Sequence, residues 1–118
     1  MTNHNQLWGS YGEKISGAYL RQKGYQILAT NWRCHHQEVD LVAQQQSTLV
    51  LIEVKLRLTT SFGSAIDALT QQKIKQLKRA ANCLIQIYHP LNWRYDFIAI
   101  DLNLTKRLAR LSHYRQII

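Results

Sequence analysis

Acidic residues are scarce in this 118-residue chain, which has seven Asp and Glu against fifteen Lys and Arg and a formal net charge of +8. Proline occurs once and cysteine twice. A positive excess of this size favours a polyanionic partner, nucleic acid first and acidic lipid second. Charge alone does not choose between those two partners.

The two cysteines offer no recognisable disulfide or metal motif, because Cys34 and Cys83 lie far apart and in no CxxC or Cys/His spacing. We expect them to be reduced core thiols in a cytoplasmic protein. The sequence has no signal-peptide pattern and no hydrophobic run of membrane-spanning length, so we expect no membrane partner. Zinc at His35 and His36 is not expected, because adjacent side chains point to opposite faces of a strand.

Length and hydrophobic periodicity predict one domain, residues 1–118, with the element order αβββαββ. The first helix is expected to begin at a capping box formed by Ser10 and Glu13, with a backward extension through Leu7 and Trp8 as the alternative, and to end at Gly24. Pro90 ends the second. The predicted helices span residues 10–24 and 66–88, and the predicted strands span residues 25–34, 38–43, 49–56, 94–102 and 107–118, with a helix as the alternative for the last segment. This order predicts an α/β fold in which helices flank a mixed sheet.

Charged residues interrupt the second and third predicted strands. Since side chains alternate between the faces of a strand, Glu53 and Lys55 share one face. If residues 45–48 form a four-residue loop, Ala43 pairs with Val50 and Asp40 falls opposite Glu53, with Cβ atoms roughly 5 Å apart. The hairpin therefore predicts two carboxyls side by side.

Two like charges in that position are unfavourable unless a cation lies between Asp40 and Glu53. Two carboxylates make an all-oxygen site that suits a hard ion, Mg²⁺ or Mn²⁺. The alternative is an ordinary surface pair of Glu53 with Lys55, with Asp40 paired to Arg33 or Arg57. Both interpretations remain open at the level of the hairpin sequence.

Glu13 also has two interpretations. In a capping box its carboxylate would accept a hydrogen bond from the backbone of the cap residue. Alternatively, the glycines at positions 9, 12 and 17 have no side chains, so that the sheet or a ligand could approach the helix closely near Glu13.

The stretches GEKISGAYLRQKGYQILATNWR, EVDLVA, LVLIEVKLR and FGSA resemble the YraN-type family of predicted endonucleases over most of the chain. That family is similar to archaeal Holliday-junction resolvases and belongs to the PD-(D/E)xK superfamily, which implies a restriction-endonuclease-like core. The resemblance implies that Asp40, Glu53, Lys55 and Glu13 are catalytic. It also implies that Asp40, Glu53 and the carbonyl of Val54 bind the metal ion, and that Lys55 activates water or stabilises the phosphorane.

The function expected from these residues is a Mg²⁺- or Mn²⁺-dependent DNA endonuclease acting on branched or structured DNA. Symmetric cleavage of a four-way junction would require a homodimer. The alternative is a non-catalytic nucleic-acid-binding module that retains the fold. Residues expected to contact the phosphate backbone are Lys73, Lys75, Arg57 and Arg33.

Overall fold

The computed structural model describes residues 4–59 and 69–118, and for residues 4–6 it describes the helical backbone alone. Within these ranges the predicted order αβββαββ is confirmed. The elements are α1 (His4–Gln22), β1 (Gln26–Cys34), β2 (Gln37–Gln45), β3 (Thr48–Leu58), α2 (Gln71–Tyr88), β4 (Asn92–Asn103) and β5 (Leu108–Tyr114).

The strands form one five-stranded sheet in the order β1-β2-β3-β4-β5. Neighbouring strands are antiparallel except for β3 and β4, which are parallel. A parallel pair needs a crossover connection, and the connection between β3 and β4 contains α2. The sheet is therefore mixed, as predicted.

Each face of the sheet buries an apolar cluster under one helix, because successive side chains of a strand point to opposite faces. The cluster that joins α1 to the sheet includes Leu20, Leu41, Val50, Ile52 and Ile98. The cluster that joins α2 to the opposite face includes Val42, Leu51, Leu77, Leu84 and Tyr95. Full burial of one such aliphatic side chain contributes about 1.5–3 kcal/mol, so both helices are held mainly by these contacts.

The start of α1 differs from the prediction, whereas its end agrees. The helix begins at His4, so Ser10 lies inside it and the capping box is wrong. At the other end Gly24 has a φ of +93° and its N–H donates to the Arg21 carbonyl at 3.0 Å. The Tyr25 N–H donates to the Leu20 carbonyl at 2.9 Å. These two bonds form a Schellman motif, which confirms Gly24 as the stop.

Helix α2 is shorter than its apolar stripe suggested. Its N-cap is Thr70, whose side chain accepts a 3.1 Å hydrogen bond from the Lys73 N–H. Leu69 therefore precedes the helix, and Ile66, where the predicted helix began, lies outside the described residues. The helix ends at Tyr88, two residues before Pro90, as predicted. Neither helix in the described ranges is long and apolar enough to cross a membrane.

The turn between β2 and β3 is tighter than predicted, although the register is correct. Ala43 pairs with Val50, and pairing continues towards the turn as far as Gln45 opposite Thr48. The connection is therefore Gln46 and Ser47, with Gln46 at a left-handed φ of 54°. The run of polar residues at 45–48 suggested a four-residue loop. Polar side chains do not prevent backbone pairing, so Gln45 and Thr48 still belong to the strands.

The C-terminal segment forms the predicted strand and not the alternative helix. β5 pairs antiparallel with β4, from Leu108 opposite Asn103 to Tyr114 opposite Phe97. After β5 the C-terminal tail contacts β4 again, where the Ile117 N–H donates to the Tyr95 carbonyl at 2.9 Å.

The expectation of reduced thiols is wrong for this structure, in which Cys34 and Cys83 form a disulfide. The two residues are 49 positions apart, but β1 ends beside α2, so their Cα atoms are 6.5 Å apart. This separation is usual for a disulfide. His35 and His36 lie in the β1–β2 turn, so the expectation that they alternate along a strand is also wrong.

A buried polar network holds β4, β5 and the C-terminal tail together. Asp96 has no solvent-exposed surface. Its carboxylate accepts hydrogen bonds from Arg94 Nε at 3.0 Å, His113 Nε2 at 2.7 Å and the Gln116 N–H at 3.0 Å. Burial alone would raise the pKa of Asp96, but the bonds from His113, Arg94 and Gln116 outweigh burial and lower it.

Candidate active site

The β2–β3 hairpin changes its hydrogen bonding next to two acidic residues. Backbone pairing runs from the turn as far as Leu41 opposite Ile52. Beyond that pair, Asp40 Oδ2 accepts a 2.8 Å hydrogen bond from the Val54 N–H. A side chain thus replaces a backbone acceptor, and the regular ladder ends at Asp40.

Asp40 and Glu53 are brought together as predicted, but through side chains and not as a ladder pair. Their carboxyls lie within hydrogen-bonding reach of each other. Burial is the main cause that raises the pKa of Asp40, while the Val54 N–H and the Lys73 charge act in the opposite direction. For Glu53, burial and then the Asp40 charge raise the pKa to about 8.

The two oxygens of Glu53 have different surroundings. Oε1 lies 3.1 Å from Lys73 Nζ, and the Glu53 side chain is only 15% exposed. Oε2 is buried and accepts no hydrogen bond from any donor in the described ranges. Its neighbour Asp40 is, when ionised, a second acceptor. A buried carboxylate oxygen without a donor is costly, and a positive ligand would offset that cost.

Lys55 shares the Glu53 face of β3, as the strand alternation predicted. Both residues line an open cavity of about 330 Å³, together with Lys73 and the cap residue Thr70 of α2. The Lys55 side chain is exposed at this cavity. The arrangement places two ammonium groups and the Glu53 carboxyl around one space that solvent can reach, with the Asp40 carboxyl next to Glu53.

The alternative pairing of the hairpin charges is not what the structure shows. Glu53 pairs with Lys73. Arg33 lies 3.7 Å from Glu38, and Arg57 lies 2.8 Å from Asp101. Within the described residues, neither arginine is the partner of Asp40.

Glu13 of α1 lies near enough to Asp40 to be affected by its charge, but it lines a separate cavity together with Asn31. It is not a capping residue, since the helix begins at His4, and its Oε2 accepts a 3.0 Å hydrogen bond from Asn31 Nδ2. Burial raises the pKa of Glu13 most, and the charge of Asp40 adds to the increase. The predicted close approach occurs at Gly12, where an added Cβ would lie 3.1 Å from Leu56 Cβ.

The four predicted phosphate-contacting residues have different positions. Lys73 lies in the site, bonded to Glu53. Lys75 is exposed but does not line the cavity. The guanidinium of Arg57 is bonded to the buried Asp101. Arg33 is 73% exposed and makes only the long contact with Glu38 described above.

Sequence reasoning missed two contacts of this site. It considered Lys73 as a phosphate contact but not as the partner of Glu53, since that pair depends on how α2 packs against the sheet. It also missed Asn31, which bonds Glu13 and has a left-handed φ of 49°. Asn tolerates that backbone conformation better than most residues, which is the one signal that marked it.

Comparison with known proteins finds one family, and its match includes all the residues of the candidate site. The family model of the uncharacterised protein family UPF0102 matches residues 12–100. A UPF0102 protein of Herpetosiphon aurantiacus is 36% identical over 121 residues, covering 99% of this chain and 98% of the relative. One of Flavobacterium psychrophilum is 42% identical over 101 residues, covering 85% of this chain and 84% of the relative.

One solved structure is similar at a lower level. It is the crystal structure of a FdxN element excision controlling factor protein from Anabaena variabilis, with a TM-score of 0.48 and 13% sequence identity. The match covers 84% of this chain and 95% of that chain. A likeness of this size carries no argument about function.

Proposed function

This chain belongs to the uncharacterised protein family UPF0102, and we propose that it is a divalent-metal-dependent endonuclease that hydrolyses phosphodiester bonds of branched or structured DNA. One observation carries the proposal: the largely buried carboxyls of Asp40 and Glu53 are neighbours, and Glu53 lines a cavity that Lys55 also lines. A structural role alone would not require two neighbouring acids in a chain so poor in them.

The donor set fits Mg²⁺ or Mn²⁺. Both ions prefer oxygen ligands, and Glu53 Oε2 is a buried oxygen without a hydrogen-bond donor among the described residues. Asp40 and Glu53 would hold the ion, and the Val54 carbonyl would be the third oxygen. The hydrogen bond from the Val54 N–H to Asp40 keeps that backbone beside the two carboxyls.

Phosphodiester hydrolysis requires a deprotonated water and stabilisation of the negative charge that grows on the phosphate. The bound ion would supply a Lewis acid and a lowered water pKa. Lys55 presents its ammonium to the open cavity, where it would orient the attacking water or stabilise the developing charge. Glu13 would hold a water molecule through its carboxylate, which Asn31 positions. Lys73 would neutralise Glu53 until substrate binds.

A DNA substrate fits the charge of the chain better than a neutral one. The formal net charge is +8, and Lys75 and Arg33 are exposed. Contacts between basic side chains and DNA phosphates have no sequence preference, and they weaken as the salt concentration rises. Arg57 contributes less, since its charge is already paired with Asp101. A homodimer belongs to this proposal for symmetric junction cleavage, and a cytoplasmic location follows from the proposed substrate.

One contact favours a second candidate, the non-catalytic nucleic-acid-binding module. The ion pair of Lys73 with Glu53 offsets part of the acidic charge without any metal ion. Such a protein would bind DNA but would take up no Mn²⁺ at Asp40 and Glu53.

The test is cleavage of duplex, flapped, single-stranded and four-way-junction DNA in Mn²⁺ and Mg²⁺. We expect Asp40→Asn and Glu53→Gln to lose at least about 100-fold in rate, because each removes a ligand of a charge-stabilising site. Glu38→Gln is the matched control, since it removes an acid of the same strand that pairs with Arg33.

Calorimetric titration with Mn²⁺ separates the two candidates. The endonuclease should bind Mn²⁺ at one site that Asp40→Asn removes. DNA binding with no Mn²⁺ heat would favour the non-catalytic module. Equal cleavage by the wild type and Asp40→Asn would identify a contaminating nuclease and end the proposal.

A further inference from the structure

A second group of metal-binding side chains lies away from the carboxyls, where β1 meets α2. Cys34 ends β1, His35 follows in the turn, and Cys83 lies on α2. One ligand atom from each of the three lies within 4.8 Å of the other two. We propose that, once the Cys34–Cys83 disulfide is reduced, these three side chains bind one Zn²⁺ ion.

The backbone already holds the ligands at a suitable separation. Zinc bonds thiolate sulfur at about 2.3 Å and imidazole nitrogen at about 2.0 Å in tetrahedral geometry, which places its ligand atoms roughly 3.5 Å apart. The Cα atoms of Cys34 and Cys83 are 6.5 Å apart, so side-chain rotation is enough to open the two sulfurs around an ion. His35 is held beside them by the β1–β2 turn, where its φ is 56°.

The three ligands leave the fourth position of a tetrahedral ion to water. His35 is exposed and both cysteines are half-buried, so reductant and metal ion can reach the site. Among the described residues His35 alone joins the cysteines, and its neighbour His36 does not. This difference supplies a matched control one residue away.

The chemistry of the site balances in two steps. A phosphine reductant attacks one sulfur, the S–S bond breaks, and two electrons pass from phosphorus to the two sulfurs. Water then supplies the oxygen of the phosphine oxide and the two protons of the thiols. Zinc binding displaces those two protons, so the ion meets two thiolates and a neutral imidazole.

The two metal sites differ in ligand chemistry and are therefore separable. Asp40 and Glu53 offer oxygen, which Mg²⁺ and Mn²⁺ prefer, whereas two sulfurs and a nitrogen select zinc. The proposed cytoplasmic location favours the thiol form, since cytosolic proteins are kept reduced. The zinc proposal itself does not depend on nuclease activity.

The experiment uses the full chain carrying Asp40→Asn, so that the carboxyl site does not compete for metal. The protein is stripped with chelator, reduced with tris(2-carboxyethyl)phosphine and titrated with Co²⁺, whose thiolate complexes absorb in the near ultraviolet and visible ranges. We expect one equivalent of Co²⁺ with thiolate absorption, and its displacement by Zn²⁺. The disulfide form should show no such absorption.

The variants identify the ligands. His35→Ala should weaken Co²⁺ binding by about 10-fold or more, and His36→Ala should leave it unchanged. Cys83→Ser should remove the thiolate absorption. If that variant does not fold, His35→Ala decides alone, because it keeps both cysteines. Absence of thiolate absorption in the reduced protein, or equal weakening by His35→Ala and His36→Ala, would overturn the proposal.

Discussion

Asp40 combines two roles that sequence patterns treat separately. One oxygen closes the hairpin by accepting from the Val54 N–H, and the same carboxyl contributes the charge that raises the pKa of Glu53. The hairpin register that places Asp40 near Glu53 was predictable from turn length and strand alternation. The Val54 bond was not, because it depends on the β2–β3 pairing ending at Leu41 opposite Ile52 although both strands continue beyond that pair.

At the residue scale, we predict that Glu53→Gln stabilises the metal-free protein. At pH 9, above the raised pKa of Glu53, the change removes a buried charge that faces the like charge of Asp40, and this gain should exceed the loss of the Lys73 ion pair. The free energy of unfolding in chelator should rise by about 1 kcal/mol, as is common when an active-site charge is removed. Urea unfolding measures it.

Repeating the urea unfolding with Mn²⁺ in place of chelator tests whether the stability gained by Glu53→Gln is linked to metal binding. Mn²⁺ should raise the midpoint of unfolding of the wild type but not that of Glu53→Gln. The control Glu38→Gln should respond to Mn²⁺ as the wild type does. If Glu53→Gln unfolds more easily than the wild type in chelator, the two carboxyls do not destabilise the metal-free fold.

Elements were predictable where the signal is local. Local pattern located the first four strands and left the fifth segment open between a strand and a helix. Gly24 and Pro90 marked helix ends, because each acts within a few residues. The start of α1 was not predictable, since Ser10 and Glu13 imitate a capping box inside a longer helix. The disulfide was not either, because Cys34 and Cys83 meet only after β1 and α2 pack together.

At the element scale, the close approach of α1 to β3 predicts opposite effects for two glycines of the same helix. Gly9→Ala should stabilise by up to about 1 kcal/mol, since no atom of the described residues lies within 4 Å of the added Cβ and Ala favours the helix. At Gly12 the added Cβ would meet Leu56 Cβ at 3.1 Å, an atom that cannot rotate away.

The contact with Leu56 should outweigh the helix preference at Gly12. We expect Gly12→Ala to be about 1–2 kcal/mol less stable than Gly9→Ala, and Gly12→Val to be less stable again. Thermal unfolding of the three variants checks the order. Equal stability of Gly12→Ala and Gly9→Ala would mean that α1 does not lie as close to β3 as described.

The whole molecule has two kinds of buried acid. Asp40 and Glu53 have raised pKa values, whereas the network of Arg94, His113 and Gln116 lowers the pKa of Asp96. Hydrogen-bonded Asp96 joins β4 to β5 and the C-terminal tail. Its contribution is to the stability of the fold, which depends on contacts that no local sequence pattern encodes.

At the scale of the whole molecule, we predict from the lowered pKa of Asp96 that the free energy of unfolding falls in acid. Because the folded pKa lies below the ordinary 3.8, its contribution is fully present above that value and is lost as the pH falls through the folded pKa. Asp96→Asn should cost about 3 kcal/mol at pH 7, since it breaks a buried charged network.

That difference between wild type and Asp96→Asn should shrink as the pH falls below 3.8. Urea unfolding at a series of pH values measures it, with Glu38→Gln as a variant in which little change is expected. A difference that stays constant from pH 7 into the acid range would show that the ionised form of Asp96 is not what holds the network.

One oxygen of each central carboxyl is already anchored, Asp40 Oδ2 by a backbone amide and Glu53 Oε1 by an ammonium group. Folding has therefore restricted both side chains before any ion arrives. A cation would meet ligands that are nearly stationary, so little rotamer entropy remains to be lost on capture. Loading should accordingly be a local event, confined to these side chains and leaving the backbone of the sheet in place.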